Sequence, residues 1–161
     1  MIIQYQRLDE YVKVPTRSNP SDAGLDVYAN VKDLIAIDPR ESAIIPTGLK
    51  FGIPHGYMLQ VMNRSSIHGY MLEVKNRSSV AAKRSLIVGA CVVDSGYDGE
   101  VFINLHNVGN DRQLIRYGDK IAQLVMVPVV TFRPYVIQGD LYQESITISD
   151  RGDGALGSTG A

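Results

Sequence analysis

The sequence lacks several features that would place it in another class of protein. It has a single cysteine, Cys91, which excludes an internal disulfide and favours a reducing compartment. The three histidines, His55, His68 and His106, show no metal-ligand spacing with one another or with Cys91, which argues against structural zinc. No apolar run approaches the ~20 residues that a membrane-spanning helix needs, so we expect no membrane association.

Neither sign of charge dominates the chain. Sixteen basic and 17 acidic residues are interspersed and leave a formal net charge of −1, which argues against direct nucleic-acid binding as the main role. The near-neutral charge does not exclude a small anionic ligand, because such a ligand needs only a few local hydrogen-bond donors. Residues 1–13 carry charges and no small-residue cleavage site, so we expect no secretory signal and a cytoplasmic protein, or one of the host-cell cytoplasm if its source is viral.

The remaining composition fits one globular domain with a real core. The chain has 161 residues, of which 45% are hydrophobic. Many short strand-like segments at intervals of about 8–12 residues, with little helical periodicity, predict an all-β sandwich or barrel. The one credible helix is 79–84, which starts with serine. The predicted strands are 2–6, 23–29, 34–37, 42–45, 48–53, 90–93, 100–106, 113–115 and 121–130.

The segment 89–101 (GACVVDSGYDGEV) has the pattern of a small-molecule pocket. Its apolar run 90–93 predicts a buried strand that ends in Asp94, and a turn-forming Ser-Gly-Tyr-Asp-Gly follows directly. A carboxylate held rigidly at a strand end suits a general base, and Tyr97 is placed to close over a ligand. The alternative is an ordinary hairpin in which Asp94 caps its own turn.

The final residues, 151–161 (RGDGALGSTGA), change in character. Four glycines and almost no apolar content predict a flexible end that adds nothing to a core. Glycine-rich backbone with serine, threonine and one arginine is also how chains wrap phosphate groups, through exposed N–H groups and a bidentate guanidinium.

A tandem duplication occupies the middle of the chain. Residues 55–67 (HGYMLQVMNRSSI) are followed at once by 68–80 (HGYMLEVKNRSSV), and ten of the 13 positions are identical. Two copies cannot make a solenoid, and because the period is odd, one continuous strand would turn the second copy to the opposite face. Either one copy lies in the fold while the other is extruded, or each supplies part of one unit.

Five segments resemble, in order, the five motifs of the homotrimeric dUTPase family (deoxyuridine 5′-triphosphate nucleotidohydrolase). The resemblance implies a distorted jelly-roll β-sandwich or barrel with one short helix, assembled as a homotrimer. It also implies a jelly-roll domain over 1–150 and a flexible glycine-rich arm over 151–161 that closes an active site. The five segments are AGLDVYA (23–29), NRSS (76–79), VVDSGYDGEV (92–101), GDKIAQLV (118–125) and RGDGALGSTG (151–160).

The implied reaction is Mg²⁺-dependent hydrolysis of dUTP to dUMP and pyrophosphate, which keeps uracil out of DNA. By resemblance, Asp94 activates the water that attacks the α-phosphorus, and Tyr97 packs against the deoxyribose and excludes a 2′-hydroxyl. Uracil is read largely by the backbone around Cys91 and Phe102. Asp26 helps to hold the water shell of Mg²⁺ on the triphosphate.

The resemblance assigns phosphate binding to the second motif, the fourth motif and the tail. The residues concerned are Arg77, Ser78, Ser79, Gln123, Arg151, Gly157, Ser158 and Thr159. Leu156 stands where the family usually has an aromatic over the uracil. Leucine covers the base but cannot stack on it, so we expect a working enzyme with a raised KM.

Spacing distinguishes the two copies of the duplication. Arg77 lies 17 residues before Asp94, as the family's motifs require, whereas Arg64 lies 30 residues before it. Only the second copy also runs into the predicted helix 79–84. We therefore predict that Arg77 and Ser78 are functional and that Arg64, Ser65 and Ser66 are not phosphate ligands. The extra copy, 55–67, should protrude as a hairpin or loop, with a possible role in binding a protein partner.

Two other functions fit parts of the pattern. A dCTP deaminase of the same fold would need a second carboxylate as proton shuttle. A dUTPase-like module with weak activity could act as a protein-binding or regulatory factor, supported by Leu156 and the duplication. Among residues outside these proposals, Asp119 is expected to cap its own turn, and His106 to be a packed or hydrogen-bonded core histidine.

Overall fold

The computed structural model describes residues 2–62, 84–90, 92–136 and 138–139. Within these ranges the chain forms eleven strands, all in antiparallel pairs. The strands are β1 Gln4–Arg7, β2 Leu25–Tyr28, β3 Ile35–Ile37, β4 Ser42–Pro46, β5 Leu49–Gly52, β6 Tyr57–Met62, β7 Leu86–Val88, β8 Val92–Asp94, β9 Phe102–Asn107, β10 Gln113–Ile115 and β11 Lys120–Pro128. Of the predicted helix 79–84, only the last residue lies in the described ranges.

Two larger sheets and two short ladders organise these strands. The four-stranded sheet has the order β2-β11-β6-β8, and the three-stranded sheet has the order β4-β9-β7. The ladders pair β1 with β5 and β10 with β3. No helix among the described residues is long and apolar enough to cross a membrane.

One hydrophobic core joins the two larger sheets. In β9, every second residue from Ile103 to Asn107 is buried while Phe102, Asn104 and His106 are not, which is the period-two pattern of a strand with one face on a core. Each fully buried aliphatic side chain contributes about 1.5–3 kcal/mol by leaving water. The predicted all-β sandwich is therefore confirmed. Core residues from the two sheets include Val27, Leu59, Val61 and Leu124 on one side and Ile45, Leu86, Ile103 and Leu105 on the other.

The chain divides into two compact units, Met1–Val130 and Thr131–Ala161. All eleven strands belong to the first unit. The described part of the second unit, 131–136 and 138–139, contains neither strand nor helix, and its Phe132, Tyr135 and Val136 are largely exposed. The predicted arm 151–161 lies outside the described residues.

The strand that ends at Asp94 is more exposed than predicted. β8 lies at the end of the four-stranded sheet, and Val92 is 56% exposed. The apolar run predicted a buried strand because sequence alone does not reveal whether a strand has one neighbour or two. The hairpin alternative is also wrong, because β8 and β9 belong to different sheets.

One of the two inner strands of the four-stranded sheet comes from the first copy of the duplication. β6 spans Tyr57–Met62 and pairs with both β11 and β8. This corrects the expectation that the whole of 55–67 protrudes as a hairpin or loop. The physical reason is that Leu59 and Val61 supply the inward apolar side chains that the core requires at this strand. Residues 63–83 lie outside the described ranges.

A bidentate ion pair closes the open end of the β3–β10 ladder. Arg112 donates through Nε to one oxygen of Asp38 and through Nη2 to the other, at 3.0 Å for the second bond. The hydrogen bond from Arg112 holds the pKa of the Asp38 carboxyl below its ordinary value of 3.8, and the same pair raises the pKa of Arg112. The pair joins the residue after β3 to the residue before β10.

Replacing Arg112 by alanine should return the Asp38 pKa upward toward 3.8, because the donor that favours the carboxylate is lost. Since the folded-state pKa is the lower one, the pair stabilises the fold above the ordinary pKa and loses this effect as the pH falls through the folded value. Wild type and Arg112→Ala should therefore differ slightly in Tm at neutral pH and converge in strong acid. Thermal melts across pH test this, and a difference that persists in strong acid would contradict it.

Candidate active site

One face of the four-stranded sheet carries three of the predicted site residues. Residues directly opposite in an antiparallel ladder point to the same face. Gln123 of β11 lies opposite Asp26 of β2 and opposite position 62 of β6. At the other edge of the sheet, Asp94 of β8 lies opposite Met58 of β6, and Met58 lies opposite Val127 of β11. Because 123 and 127 share a face of β11, Asp26, Gln123 and Asp94 all project away from the core.

These residues nevertheless form two separate groups within one chain. Four residues of extended strand cover about 13 Å and two strand spacings about 10 Å, so Asp94 and Gln123 are roughly 16 Å apart along the sheet. Asp94 lies with Tyr97 and Phe102, whereas Gln123 lies beside Asp26. The fold alone does not bring the predicted base and the fourth-motif amide together.

An open pocket of about 230 Å³ surrounds the first group. Pockets that enclose a drug-sized ligand measure about 300–1,000 Å³, so this one covers only part of a nucleotide. Its lining combines two acidic residues, two aromatic residues and three valines. The lining residues are Val92, Val93, Asp94, Tyr97, Glu100, Val101 and Phe102.

The carboxylate of Asp94 faces solvent at the end of β8. The turn that follows is closed by the backbone, since the Tyr97 amide donates to the Asp94 carbonyl oxygen at 3.3 Å. Among the described residues, no hydrogen bond is made to the Asp94 side chain. Asp94 therefore does not cap its own turn here, and its carboxylate can accept a proton from a bound water.

Tyr97 folds back over its own turn. Its hydroxyl donates to the Glu100 carbonyl oxygen at 2.9 Å. The ring lies so close to Gly99 that a Cβ there would be 2.3 Å from the Tyr97 hydroxyl oxygen and 2.4 Å from Cζ. Only glycine at position 99 permits this ring position, which leaves the outer face of the ring available for a ligand.

The Gly99→Ala substitution should therefore displace the Tyr97 ring. If Tyr97 contacts the nucleoside as the resemblance implies, the KM for the implied substrate, dUTP, should rise about three- to tenfold, the equivalent of roughly 0.7–1.4 kcal/mol of lost contact, with a smaller effect on kcat. Steady-state kinetics of Gly99→Ala and Gly52→Ala test this, because the nearest atoms to a Cβ at Gly52 are at an ordinary 3.7 Å. Equal KM values in the two variants would contradict the role of Gly99.

The far end of the Asp94 loop is anchored to the connection between β4 and β5. The buried Thr47 hydroxyl donates to the Val101 carbonyl oxygen at 2.6 Å, and the Val101 amide donates to the Leu49 carbonyl oxygen at 2.8 Å. The Glu100 carboxylate accepts from the Gly48 amide at 2.6 Å. The loop is thus fixed at both ends, which holds Tyr97 and Asp94 in a defined relation.

The second group centres on Asp26, which is only 7% exposed. Lys120 Nζ donates to Asp26 Oδ2 at 2.9 Å, and the same ammonium lies 5.8 Å from the centre of the Tyr28 ring. The Gln123 side chain lies against Gly24, where a Cβ would be 2.6 Å from Gln123 Oε1. Glycine at position 24 therefore makes room for the fourth-motif amide.

No group of three or more histidine, cysteine, aspartate or glutamate side chains that could hold a metal occurs in the described part of the chain. A single carboxylate already paired with a lysine is a poor inner ligand for a divalent cation. It suits a contact through metal-bound water, which is how Mg²⁺ is commonly held when phosphates supply the direct ligands.

The remaining predicted site residues fall outside the described ranges. Their placement, and that of the first-copy alternatives, stays a prediction. They are Arg77, Ser78, Ser79, Cys91, Arg151, Leu156, Gly157, Ser158 and Thr159, with Arg64, Ser65 and Ser66 as the alternatives.

Sequence reasoning missed two contributors to the site and found one structural residue correctly. Glu100 and Thr47 support the Asp94 loop from partners more than 50 positions away, so no local pattern signals them. The prediction for Asp119 is confirmed, because its carboxylate accepts from the Arg116 amide at 3.1 Å and closes the turn. Asp119 also pairs with Arg84 at 3.4 Å.

Comparison with known proteins identifies the family. Residues 10–160 match the dUTPase family profile. A deoxyuridine 5′-triphosphate nucleotidohydrolase of Chlamydia pneumoniae is 36% identical over 156 residues, which covers 96% of this chain and 95% of the relative. The enzyme of that name from Arabidopsis thaliana is 34% identical over 155 residues, covering 96% and 81% respectively.

Solved structures show the same fold. A mutant of Staphylococcus bacteriophage 80alpha dUTPase with dUpNHpp has a TM-score of 0.73 and 27% identity, and 99% of each chain is covered. A mutant dUTPase from phage phi11 of S. aureus, described with a structural Mg(II) ion, has a TM-score of 0.69 and 25% identity, covering 86% of this chain and 98% of that one. The expected all-β fold of jelly-roll type is thereby confirmed, and the chain belongs to the dUTPase family.

Proposed function

We propose that this chain hydrolyses dUTP to dUMP and pyrophosphate. The observation that carries the proposal is the Asp94 carboxylate, exposed at a strand end in a pocket closed on one side by Tyr97. Family membership supports the same reaction. We place the reaction in the cytoplasm, where the single thiol of Cys91 stays reduced.

In the proposed mechanism Asp94 acts as the general base. Its carboxylate takes a proton from a water molecule, and the water oxygen bonds to the α-phosphorus. The bond from that phosphorus to the oxygen bridging to the β-phosphate breaks, so pyrophosphate leaves with the bonding electron pair. Base catalysis by a positioned carboxylate contributes about 10²–10⁴-fold to such a step.

Nucleoside selection is assigned to the same loop. The exposed face of Tyr97 packs against the deoxyribose and leaves no room for a 2′-hydroxyl. Phe102 and the backbone around Cys91 face the uracil, and Leu156 of the arm covers it without stacking. The hydrogen bond that pins Tyr97 to Glu100 supports this assignment, since a fixed ring excludes an extra oxygen better than a mobile one.

Charge neutralisation is assigned to the phosphate-binding residues. Phosphoryl transfer depends mainly on positioning and on compensating the charge of the phosphate oxygens. Gln123 donates its amide to a phosphate oxygen from the sheet. The other donors are Arg77, Ser78 and Ser79 from the second motif, and Arg151, Gly157, Ser158 and Thr159 from the arm.

Mg²⁺ fits this arrangement as a partner of the triphosphate. When bound it supplies charge neutralisation on the phosphate oxygens. Asp26 would contact it through water, consistent with a nearly buried carboxylate that already accepts from Lys120. The protein's contribution is then to orient the hydrated triphosphate beside Gln123.

A homotrimer would complete the site. Asp94 and Gln123 are roughly 16 Å apart along one sheet by strand geometry, so one chain does not gather both around one triphosphate. If Asp94 and Arg151 of one site come from different subunits, mixing inactive Asp94→Asn chains with inactive Arg151→Ala chains should restore part of the turnover. Activity after co-refolding tests this, and no restoration in mixed trimers would contradict shared sites.

Pyrophosphate release from dUTP, dTTP, dCTP and UTP, each with Mg²⁺, tests the proposed function. We expect turnover of dUTP and at least a hundredfold lower kcat/KM for the others, since a fixed pocket can reject a 2′-hydroxyl or a wrong base by about 2–3 kcal/mol or more. Ammonia release from dCTP would instead indicate the deaminase. Tight dUTP binding without turnover would indicate a binding module.

A further inference from the structure

Strand β6 has core-facing side chains that occur twice in this chain. Leu59 and Val61 are 2% and 3% exposed and belong to the single hydrophobic core. The second copy of the duplication has the same residues at the equivalent positions, Leu72 and Val74. The buried face of β6 is therefore encoded identically by both copies.

The turn that leads into β6 is also present in both copies. Gly56 has φ +82, a left-handed conformation that favours glycine, and its carbonyl oxygen accepts from the Val129 amide at 2.8 Å. The second copy carries Gly69 at the equivalent position, one residue before its own tyrosine. The repeated unit thus contains both the strand and the turn that starts it.

The two copies differ where the strand faces away from the core. Gln60 pairs with Val125 and Val92, and position 62 pairs with Gln123. The second copy has Glu73 and Lys75 at these two positions. Exchange of one copy for the other would leave the core unchanged and would add two charges to the face that carries Asp26, Gln123 and Asp94.

Chain length permits either copy to form the strand. At present 4 residues connect β5 to β6 and 23 connect β6 to β7. With residues 70–75 as the strand, the corresponding connections would have 17 and 10 residues. Ten residues reach at most about 33–36 Å, more than three times the roughly 10 Å between packed sheets.

We propose that the two copies exchange as the inner strand of the four-stranded sheet that β6 occupies here. In the state seen here, residues 57–62 form the strand and are followed directly by the Asn63-Arg64-Ser65-Ser66 sequence. In the alternative state, residues 70–75 form it and are followed by Asn76-Arg77-Ser78-Ser79, which continues into the segment 79–84. The hydrophobic pattern sets which residues of a strand face the core, and here the two segments present the same core-facing residues, so the pattern does not favour one copy over the other.

The exchange sets which arginine-serine pair follows the strand. If the proposed function is right, the state with 70–75 in the sheet is the one that hydrolyses dUTP, because it joins Arg77 and Ser78 to both the strand and the predicted helix. The state with 57–62 in the sheet would then hold the enzyme in a less active form. The exchange itself does not depend on that assignment.

Lysine substitutions at Leu59 and Leu72, followed by thermal melts, test whether either copy can form the strand. A lysine at a position 2% exposed ordinarily abolishes folding, because a buried unpaired charge is not tolerated. We expect Leu59→Lys and Leu72→Lys each to keep a cooperative thermal transition, with the intact copy forming the strand, and the double variant to lose it. Leu72→Lys in a chain that lacks residues 55–67 should also lose it, which controls for the severity of the substitution. If the single variant Leu59→Lys has no cooperative transition, the proposal is overturned.

Disulfide trapping gives a second measurement that reports the strand directly. Position 58 lies opposite Val127, and directly opposed positions in an antiparallel ladder are within the roughly 4.4–6.8 Å Cα separation that a disulfide needs. In a Cys91→Ser background, the Met58→Cys/Val127→Cys and Met71→Cys/Val127→Cys pairs should both oxidise within the chain. Tyr70→Cys/Val127→Cys, one residue out of register, is the control and should stay reduced. Oxidation of the Met58 pair alone would overturn the proposal. Neither measurement uses dUTP, so a failure of the proposed function would leave both results unchanged.

Discussion

Replacing Asp94 by asparagine should lower kcat for dUTP by about 10²–10⁴-fold, because the amide cannot take the proton from the attacking water. Asparagine has nearly the same shape, and the Asp94 side chain makes no hydrogen bond with the described residues, so the Tm should change little. Steady-state turnover together with a thermal melt separates loss of chemistry from loss of folding.

The matched control for this variant lies in the same turn. Asp98→Asn removes a carboxylate that is 98% exposed and paired with Lys50 at 3.5 Å. An exposed pair of this kind contributes little to stability, and the residue has no assigned role in hydrolysis. Turnover of Asp98→Asn should stay within about twofold of wild type. Equal losses in the two variants would show that the negative charge of the turn matters and that Asp94 is not the base.

Replacing Arg77 by alanine should lower kcat/KM for dUTP by roughly 10- to 150-fold, the equivalent of losing about 1.5–3 kcal/mol of charge-assisted hydrogen bonding. Arg64→Ala is the matched control from the other copy of the duplication and should change kcat/KM by less than about twofold. The reason is that only the second copy has the spacing to Asp94 and the continuation into the segment 79–84.

Kinetics of both variants, measured with saturating Mg²⁺, decide between the copies. A loss confined to Arg64→Ala would assign phosphate binding to the copy whose strand is described in the sheet. Equal losses in both would refute the assignment to Arg77. The stability of each variant should match wild type, since neither arginine has an expected role in the core.

Much of the fold follows from local pattern. Alternation of Ile103 and Leu105 with Asn104 and His106 predicts a strand with one buried face, and that is what β9 is. The end of β8 at Asp94 and the turn at Tyr97 also follow from an apolar run and turn-forming residues next to each other in sequence. These features depend on residues within a few positions of one another, so they can be predicted from the sequence.

Other features depend on distant partners and were not predictable. The exposure of Val92 follows from β8 having one neighbour in the sheet, and the support of the Asp94 loop comes from Thr47, 54 positions earlier than Val101. Lys120 pairs with Asp26 across 94 positions. The choice of the first copy for β6 could not be predicted either, since the core-facing residues of the two copies are the same.

Hydrolysis of dUTP in water enriched in oxygen-18 tests the central claim most directly, because it reports which phosphorus atom the water attacks. Attack on the α-phosphorus with Asp94 as base predicts one labelled oxygen in each dUMP and none in the pyrophosphate. Label in the pyrophosphate, or formation of dUDP and labelled inorganic phosphate, would contradict the mechanism.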